Sequence, residues 1–150
     1  MLLFKKVEGS CSNVPFWVQK MRLDSLGLPF AIFVDSDRLA PSDANNRNES
    51  MIATFAASGI TAICTKKREI ENYIDPALTT NAAYGDFDDA KKITAQADGL
   101  LKRGKPHKVM DTLWPQMTSA QIISRGNYTD AQGNTKSEIV EIIQNILAIS

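Results

Sequence analysis

Asp35 and Asp37 stand two residues apart at the end of the strongest apolar run in this 150-residue sequence. Side chains at i and i+2 of an extended strand leave the same face, so the spacing predicts two carboxylates side by side at a sheet rim. Carboxylates that close repel each other, and replacing both by asparagine should stabilise the metal-free chain. A hard cation is the natural relief, because Mg²⁺ takes one or two protein carboxylates and completes its shell with water and substrate phosphate. Asp-x-Asp also opens ordinary solvated loops, but a pair capping a fully apolar strand favours the metal reading.

A second acidic pair, Glu69 and Glu71, lies in the stretch KKREIENYI that follows the next apolar segment. The stretch is read as a short helix over residues 66–74. On a helix, positions two apart diverge, so one glutamate is left for a metal while the other faces solvent or suits the positive end of the helix dipole. Cations follow in the run LKRGKPHK, where Lys102, Arg103, Lys105 and Lys108 cluster. His107 is the sole histidine and reads as a surface residue.

The elements that must carry these groups follow from periodicity. Residues 2–7 read as a strand broken at Gly9 and Ser10, and Val14, Trp17, Val18 and Met21 mark a helix stopped by Gly27. Phe30, Ala31, Ile32, Phe33 and Val34 form an unbroken apolar strand, predicted to be parallel and buried on both faces. A polar loop leads into a helix through Met51, Ile52 and Phe55 that ends at Gly59, and residues 60–64 make the next strand. Strand, helix, strand at these intervals predicts βαβ units and an open parallel sheet, where ligands gather beyond the carboxyl ends of the strands.

After Cys64 the pattern predicts helices only: a stripe of Ala90, Ile93, Ala97, Leu100 and Leu101 behind the acidic start at residues 86–89, and a helix over 109–123 broken by Pro115. A turn-rich loop over 127–134 comes next. Thr135, Lys136, Ser137 and Glu138 then read as a capping box opening the last helix, whose apolar face is Ile139, Ile142, Ile143, Ile146 and Leu147.

Composition narrows the classes. Apolar residues at 43% and charged ones at 23% suit a globular chain, and no apolar run approaches membrane-spanning length. The start MLLFKKVEGS has its lysines after the apolar residues, the reverse of a secretory signal. Cys11 and Cys64 lack metal-binding spacing and read as plain cytosolic thiols. Lys plus Arg balances Asp plus Glu at 17 each, so nucleic acid would have to be met by a local patch, from residues 66–68 and 102–108.

The stretch VEGSCSNVPFWVQKMRLDSLGLPFAIFVDSDR, followed by GITAICTKKREIENYI, resembles the later part of the TOPRIM domain in nucleases of the OLD (overcoming lysogenization defect) family. The shared features are a strand with a Gly-Ser-Asn turn, a helix ending in Leu-Gly-Leu-Pro, the Asp-x-Asp strand, and a strand followed by an IENY helix. The likeness covers residues 2–76 and resumes from Tyr128, Thr129 and Asp130 through the last helix.

That resemblance implies one TOPRIM-like α/β domain over residues 1–150: an open parallel sheet flanked by helices, with a βαβαβα core over 1–76 and a helical remainder over 77–150. It implies a DNA endonuclease that hydrolyses phosphodiesters with Mg²⁺ or Mn²⁺, in which two ions clamp the attacking and leaving oxygens. Asp35, Asp37 and Glu71 would hold metal, Glu69 would be a further ligand, and Lys105 would steady the transition-state charge, with Lys102, Arg103 and Lys108 as alternatives. DNA would be the substrate, an upstream ATPase domain the partner through which alone ATP enters, and a second copy a further partner. The setting would be cytoplasmic, in phage defence.

The family's first strand carries a glutamate that the resemblance sets before residue 1. Glu8 looks similar, but the interval from Glu8 to Asp35 has room for one helix only, so Glu8 falls on the family's second strand and this chain alone is expected to be a weak or inactive nuclease. Three rivals stand beside this reading. A HAD-like phosphatase would follow its Asp-x-Asp with Thr or Val where Leu39 stands. A degenerate TOPRIM module would bind or assemble without catalysis, and a sugar-nucleotide transferase would usually need a longer chain.

Overall fold

The computed structural model describes residues 30–43, 47–80, 83–130 and 132–148. The expected strand over residues 2–7, the helix of Val14, Trp17, Val18 and Met21, and Gly27, Glu8 and Cys11 lie outside the described residues. In chain order the elements are β1 (Ala31–Val34), α1 (Arg47–Ala57), β2 (Thr61–Cys64), 3₁₀ turns at Ile70–Tyr73 and Pro76–Leu78, and α2 (Ala90–Ala97). Then come β3 (Leu101–Lys102), β4 (Lys105–Pro106), α3 (Val109–Leu113), a 3₁₀ turn at Trp114–Gln116, α4 (Ser119–Arg125), β5 (Asn127–Thr129), β6 (Thr135–Ser137) and α5 (Glu138–Leu147).

The molecule is a mixed α/β structure with a small parallel sheet. β1 and β2 pair in parallel, Ala31 opposite Thr61 through Val34 opposite Cys64. α1 connects them and lays Met51, Ile52 and Phe55 on Ile32 and Val34. Its stop is the one expected: Gly59 takes φ +72, and the Ile60 N–H turns back to donate to the Phe55 carbonyl at 3.0 Å.

Burial of β1 differs from expectation. Ile32 is 7% and Val34 3% exposed, but Phe33 is 39% exposed, so among the described residues the strand is covered on one face only. The alternation was hidden because its outward positions are apolar as well.

Beyond Cys64 the helices-only expectation is overturned. Residues 66–69 are a bend and Ile70–Tyr73 a single 3₁₀ turn rather than an α-helix. The helix beginning at Ala90 stops at Ala97, and the basic run forms an antiparallel hairpin with Lys102 opposite Lys105. Pro115 separates two helices instead of kinking one, since α3 ends at Leu113 and α4 starts afresh at Ser119 behind its own Thr118 cap. The expected loop over 127–134 holds β5, which pairs with β6 in a second hairpin. Thr135 is therefore a strand residue, and Ser137 at the start of α5 makes no side-chain cap, so the expected capping box does not form. Ile74, Ala95, Val109 and Leu113 make a second apolar cluster under this half. Among the described residues no helix is long and apolar enough to cross a membrane.

Candidate functional site

The two parallel strands continue past their ends as adjoining loops. The Thr65 N–H donates to the Val34 carbonyl at 3.1 Å, and the Asp37 N–H to the Arg68 carbonyl at 2.8 Å. Between them Ser36, fully buried, donates its backbone N–H to Thr65 Oγ1 at 2.8 Å and its hydroxyl to the Lys67 carbonyl at 2.6 Å. A buried hydroxyl needs such partners, and here they lock the two loops together.

This lock changes the geometry expected of the aspartates. β1 has ended, and Asp37 adopts φ 56, a left-handed conformation that Asp tolerates better than most residues. Strand alternation no longer applies, and the two carboxylates have separate partners. Asp35 Oδ1 accepts the Ile70 N–H at 2.8 Å. Asp37 Oδ2 accepts from the Asn48 amide at 2.9 Å, and the same amide donates to the Asp35 carbonyl at 2.7 Å. Asn48, buried in the first turn of α1, thus clasps the loop, and next to it Glu49 pairs with Arg38. Burial raises the Asp35 carboxyl to about 6; the Ile70 N–H opposes the rise and Glu71 adds to it, whereas Asp37 contributes least of the charges involved. The mutual repulsion expected of the pair is therefore a minor influence.

Glu69 and Glu71 do not diverge as they would on a helix. Glu69 is extended (φ −138, ψ 160) and caps the 3₁₀ turn, so both glutamates reach the first turn of α2. Glu69 Oε2 accepts the Lys91 N–H at 3.2 Å, and Glu71 Oε1 lies 3.5 Å from the Lys91 ammonium. Asn72 fixes the turn, its amide donating to the Gly85 carbonyl at 2.8 Å and its Oδ1 accepting the Glu69 N–H at 2.9 Å. Burial pushes Glu69 up to about 7, with Asp89 and Glu71 adding to it. Burial works against the Lys91 ammonium, but Glu71 and Asp35 outweigh it and hold its pKa above the ordinary value. Glu71 is 4% exposed, and its Oε2 has no hydrogen-bond partner among the described residues.

Comparison with protein-family models, with curated proteins and with solved structures gives no match.

Among the described residues no three carboxylate, thiol or imidazole groups converge closely enough to cage a metal. Asp35 and Glu71 interact electrostatically at this strand end, and a hard cation of the kind that takes two carboxylates and fills its other positions with water and phosphate would need both. The orphaned Glu71 Oε2 is the acceptor such a cation would satisfy.

The lysine that reaches this group is Lys91, whereas Lys105 is exposed in the β3–β4 hairpin. Of residues 66–68, expected to meet phosphate, two are engaged with acids of the chain itself. Lys67 is 4% exposed and bound to Asp86 at 2.7 Å, and Arg68 lies 3.7 Å from Glu69 and 3.9 Å from Asp89. Sequence reading missed Asn48, Lys91 and Glu138. Only Lys91 left a signal, a cation just behind an acidic helix cap.

Proposed function

We propose that this chain is the TOPRIM-like catalytic part of a divalent-metal-dependent DNA endonuclease, as its likeness to the OLD family implies. The observation that carries the reading is Asp35 at the carboxyl end of a parallel strand, within the field of a buried Glu71 whose second oxygen is unpartnered. That sheet end is where open α/β sheets collect ligands. Asp35 and Glu71 would hold Mg²⁺ or Mn²⁺, with Glu69 as a further ligand and Asp37 held aside by Asn48. The ion would supply Lewis acidity toward a phosphodiester and a water acidified near neutral pH. Lys91 offsets the glutamates, and its ammonium is the charge at hand for a phosphate oxygen, with Lys105 as the alternative. An upstream ATPase domain and pairing of two copies belong to the same proposal.

A second reading, a TOPRIM-like module that binds without catalysis, draws support from the Lys91 ion pair that already neutralises Glu71. Nicking of supercoiled plasmid separates the two. The nuclease reading expects slow nicking in Mn²⁺ that falls on the order of a hundredfold in Asp35→Asn and Glu71→Gln, the cost of losing register between reacting groups. It also expects Mg²⁺ to raise the melting temperature, since a ligand of the native state stabilises by mass action. Nicking that survives chelation or Asp35→Asn would sink the nuclease reading. A metal-dependent rise in melting temperature without nicking would favour the binding module.

A further inference from the structure

Glu138 is an acid in an unusual place. It opens α5, is 2% exposed, and lies 65 residues from the tyrosine it bonds. Its Oε1 accepts the Lys66 N–H at 2.7 Å and its Oε2 accepts the Tyr73 hydroxyl. Tyr73, 4% exposed, is the last residue of the 3₁₀ turn that bears Glu71. The same hydroxyl also accepts the Lys67 N–H at 3.4 Å, and the Lys67 ammonium lies 5.3 Å from the Tyr73 ring centre.

One acid therefore grips both ends of the segment from Lys66 to Tyr73. That segment carries the Lys67 carbonyl that takes the Ser36 hydroxyl, the Ile70 N–H given to Asp35, and the Glu71 carboxylate. From the other side Arg125 of α4 donates to the Asn72 carbonyl and lies 3.5 Å from Asp86.

A carboxylate withdrawn from water is costly unless bonded, and in a helix's first residue a solvent-facing cap would have satisfied the helix at lower cost. Here the acid is turned inward instead. We infer that Glu138 is a positioning residue for the acidic site, acting through the Tyr73 hydroxyl to hold the turn that presents Glu71 and the Ile70 N–H to Asp35. The inference rests on the metal-dependent reading for its consequence in catalysis, but the strut itself is a statement about the turn.

The test uses the full chain with Tyr73→Phe, Glu138→Ala, Glu138→Gln and, as a control on α5 docking, Ile142→Ala, which lines the cleft between α5 and β2. Tyr73→Phe removes one hydroxyl, and exchange of the Ile70 amide should speed up roughly fivefold, the size expected for one lost intramolecular hydrogen bond. With DNA and Mn²⁺, kcat should fall about tenfold while KM for DNA stays within about twofold, because metal geometry rather than substrate contact is disturbed. Glu138→Ala should do the same, and Glu138→Gln, which can still accept from one donor, should recover part of the loss. Ile142→Ala should lower the melting temperature and leave both readouts alone. Unchanged Ile70 exchange in Tyr73→Phe, or an equal kcat loss in Ile142→Ala, overturns the inference. A wild-type chain that nicks nothing and whose melting temperature does not respond to Mg²⁺ or Mn²⁺, with Ile70 exchange still sped by Tyr73→Phe, sinks the metal-dependent reading and leaves the strut standing.

Discussion

Burial sets the protonation of Asp35 and Glu69 against their ordinary values of 3.8 and 4.5, raising them to about 6 and about 7. The folded chain then binds more protons than the unfolded chain between roughly pH 4 and 7, and stability falls with rising pH wherever that holds. Their contribution is complete below about pH 4 and lost as pH rises through 6 and 7. Glu138, raised by its own burial, acts with the same sign, whereas Asp130, lowered to about 2 by the Asn134 N–H, acts only at more acid pH. Metal-free protein should therefore melt higher near pH 5 than near pH 8, and added Mg²⁺ should narrow that gap, since a cation must displace these protons. Asp35→Asn keeps an acceptor for the Ile70 N–H and removes the charge, so it should raise the metal-free melting temperature near pH 8. Asp37→Asn should change stability by less than about 0.5 kcal/mol, because the exposed carboxylate leaves little to relieve. A pH-independent melting temperature would refute the account. At this scale the sequence disclosed Asp35 through its apolar strand. It hid the partition of Asp35 from Asp37, which depends on one left-handed residue, and hid Asn48, which is brought in by tertiary contact.

Elements were legible where a long pattern and a punctuating residue agreed. The β1–α1–β2 unit has both, an apolar strand and a helix ended by Gly59. The β3–β4 hairpin has neither: its strands are two residues long, and Arg103 and Gly104 both take positive φ, as tight hairpin turns require, without the Asn-Gly pair that usually announces one. β5 and β6, three residues each, are equally too short to display alternation. Where β5 leaves α4 the packing is close. Gly126 has an ordinary φ, but a Cβ there would lie 2.7 Å from Ile139 Cγ1, and its carbonyl already accepts the Glu138 N–H at 2.8 Å. Gly126→Ala should cost about 1–3 kcal/mol by overpacking. Adding Ile139→Ala should recover part of that, making the pair less than additive in urea unfolding. Additive losses would mean that α5 does not press on Gly126.

At the scale of the molecule, a balance of 17 cations and 17 acids conceals an uneven distribution. Arg38, Lys67, Arg68, Lys91, Arg125 and Lys136 each face a carboxylate. Lys102, Arg103, Lys105 and Lys108 have no ion-pair partner among the described residues, and all four are exposed in or beside the β3–β4 hairpin. The hairpin follows α2, whose first turn meets the acidic site and whose eight residues span about 12 Å at 1.5 Å each. If the chain binds duplex DNA, most counterion release should come from this hairpin, because paired cations have no charge to spare for phosphate. Each phosphate contact contributes about 0.9 to the slope of log affinity against log salt. Replacing Lys102, Arg103 and Lys105 together by glutamine should thus flatten the slope by roughly 2–3 and weaken binding at low salt. Replacing Lys67 and Arg68, which are spent on Asp86, Glu69 and Asp89, should leave the slope unchanged even if stability drops. Fluorescence anisotropy with a short labelled duplex over a salt series measures both. An unchanged slope in the hairpin variant would show that phosphates are met elsewhere, and the weak global charge would then have to be supplied by another chain.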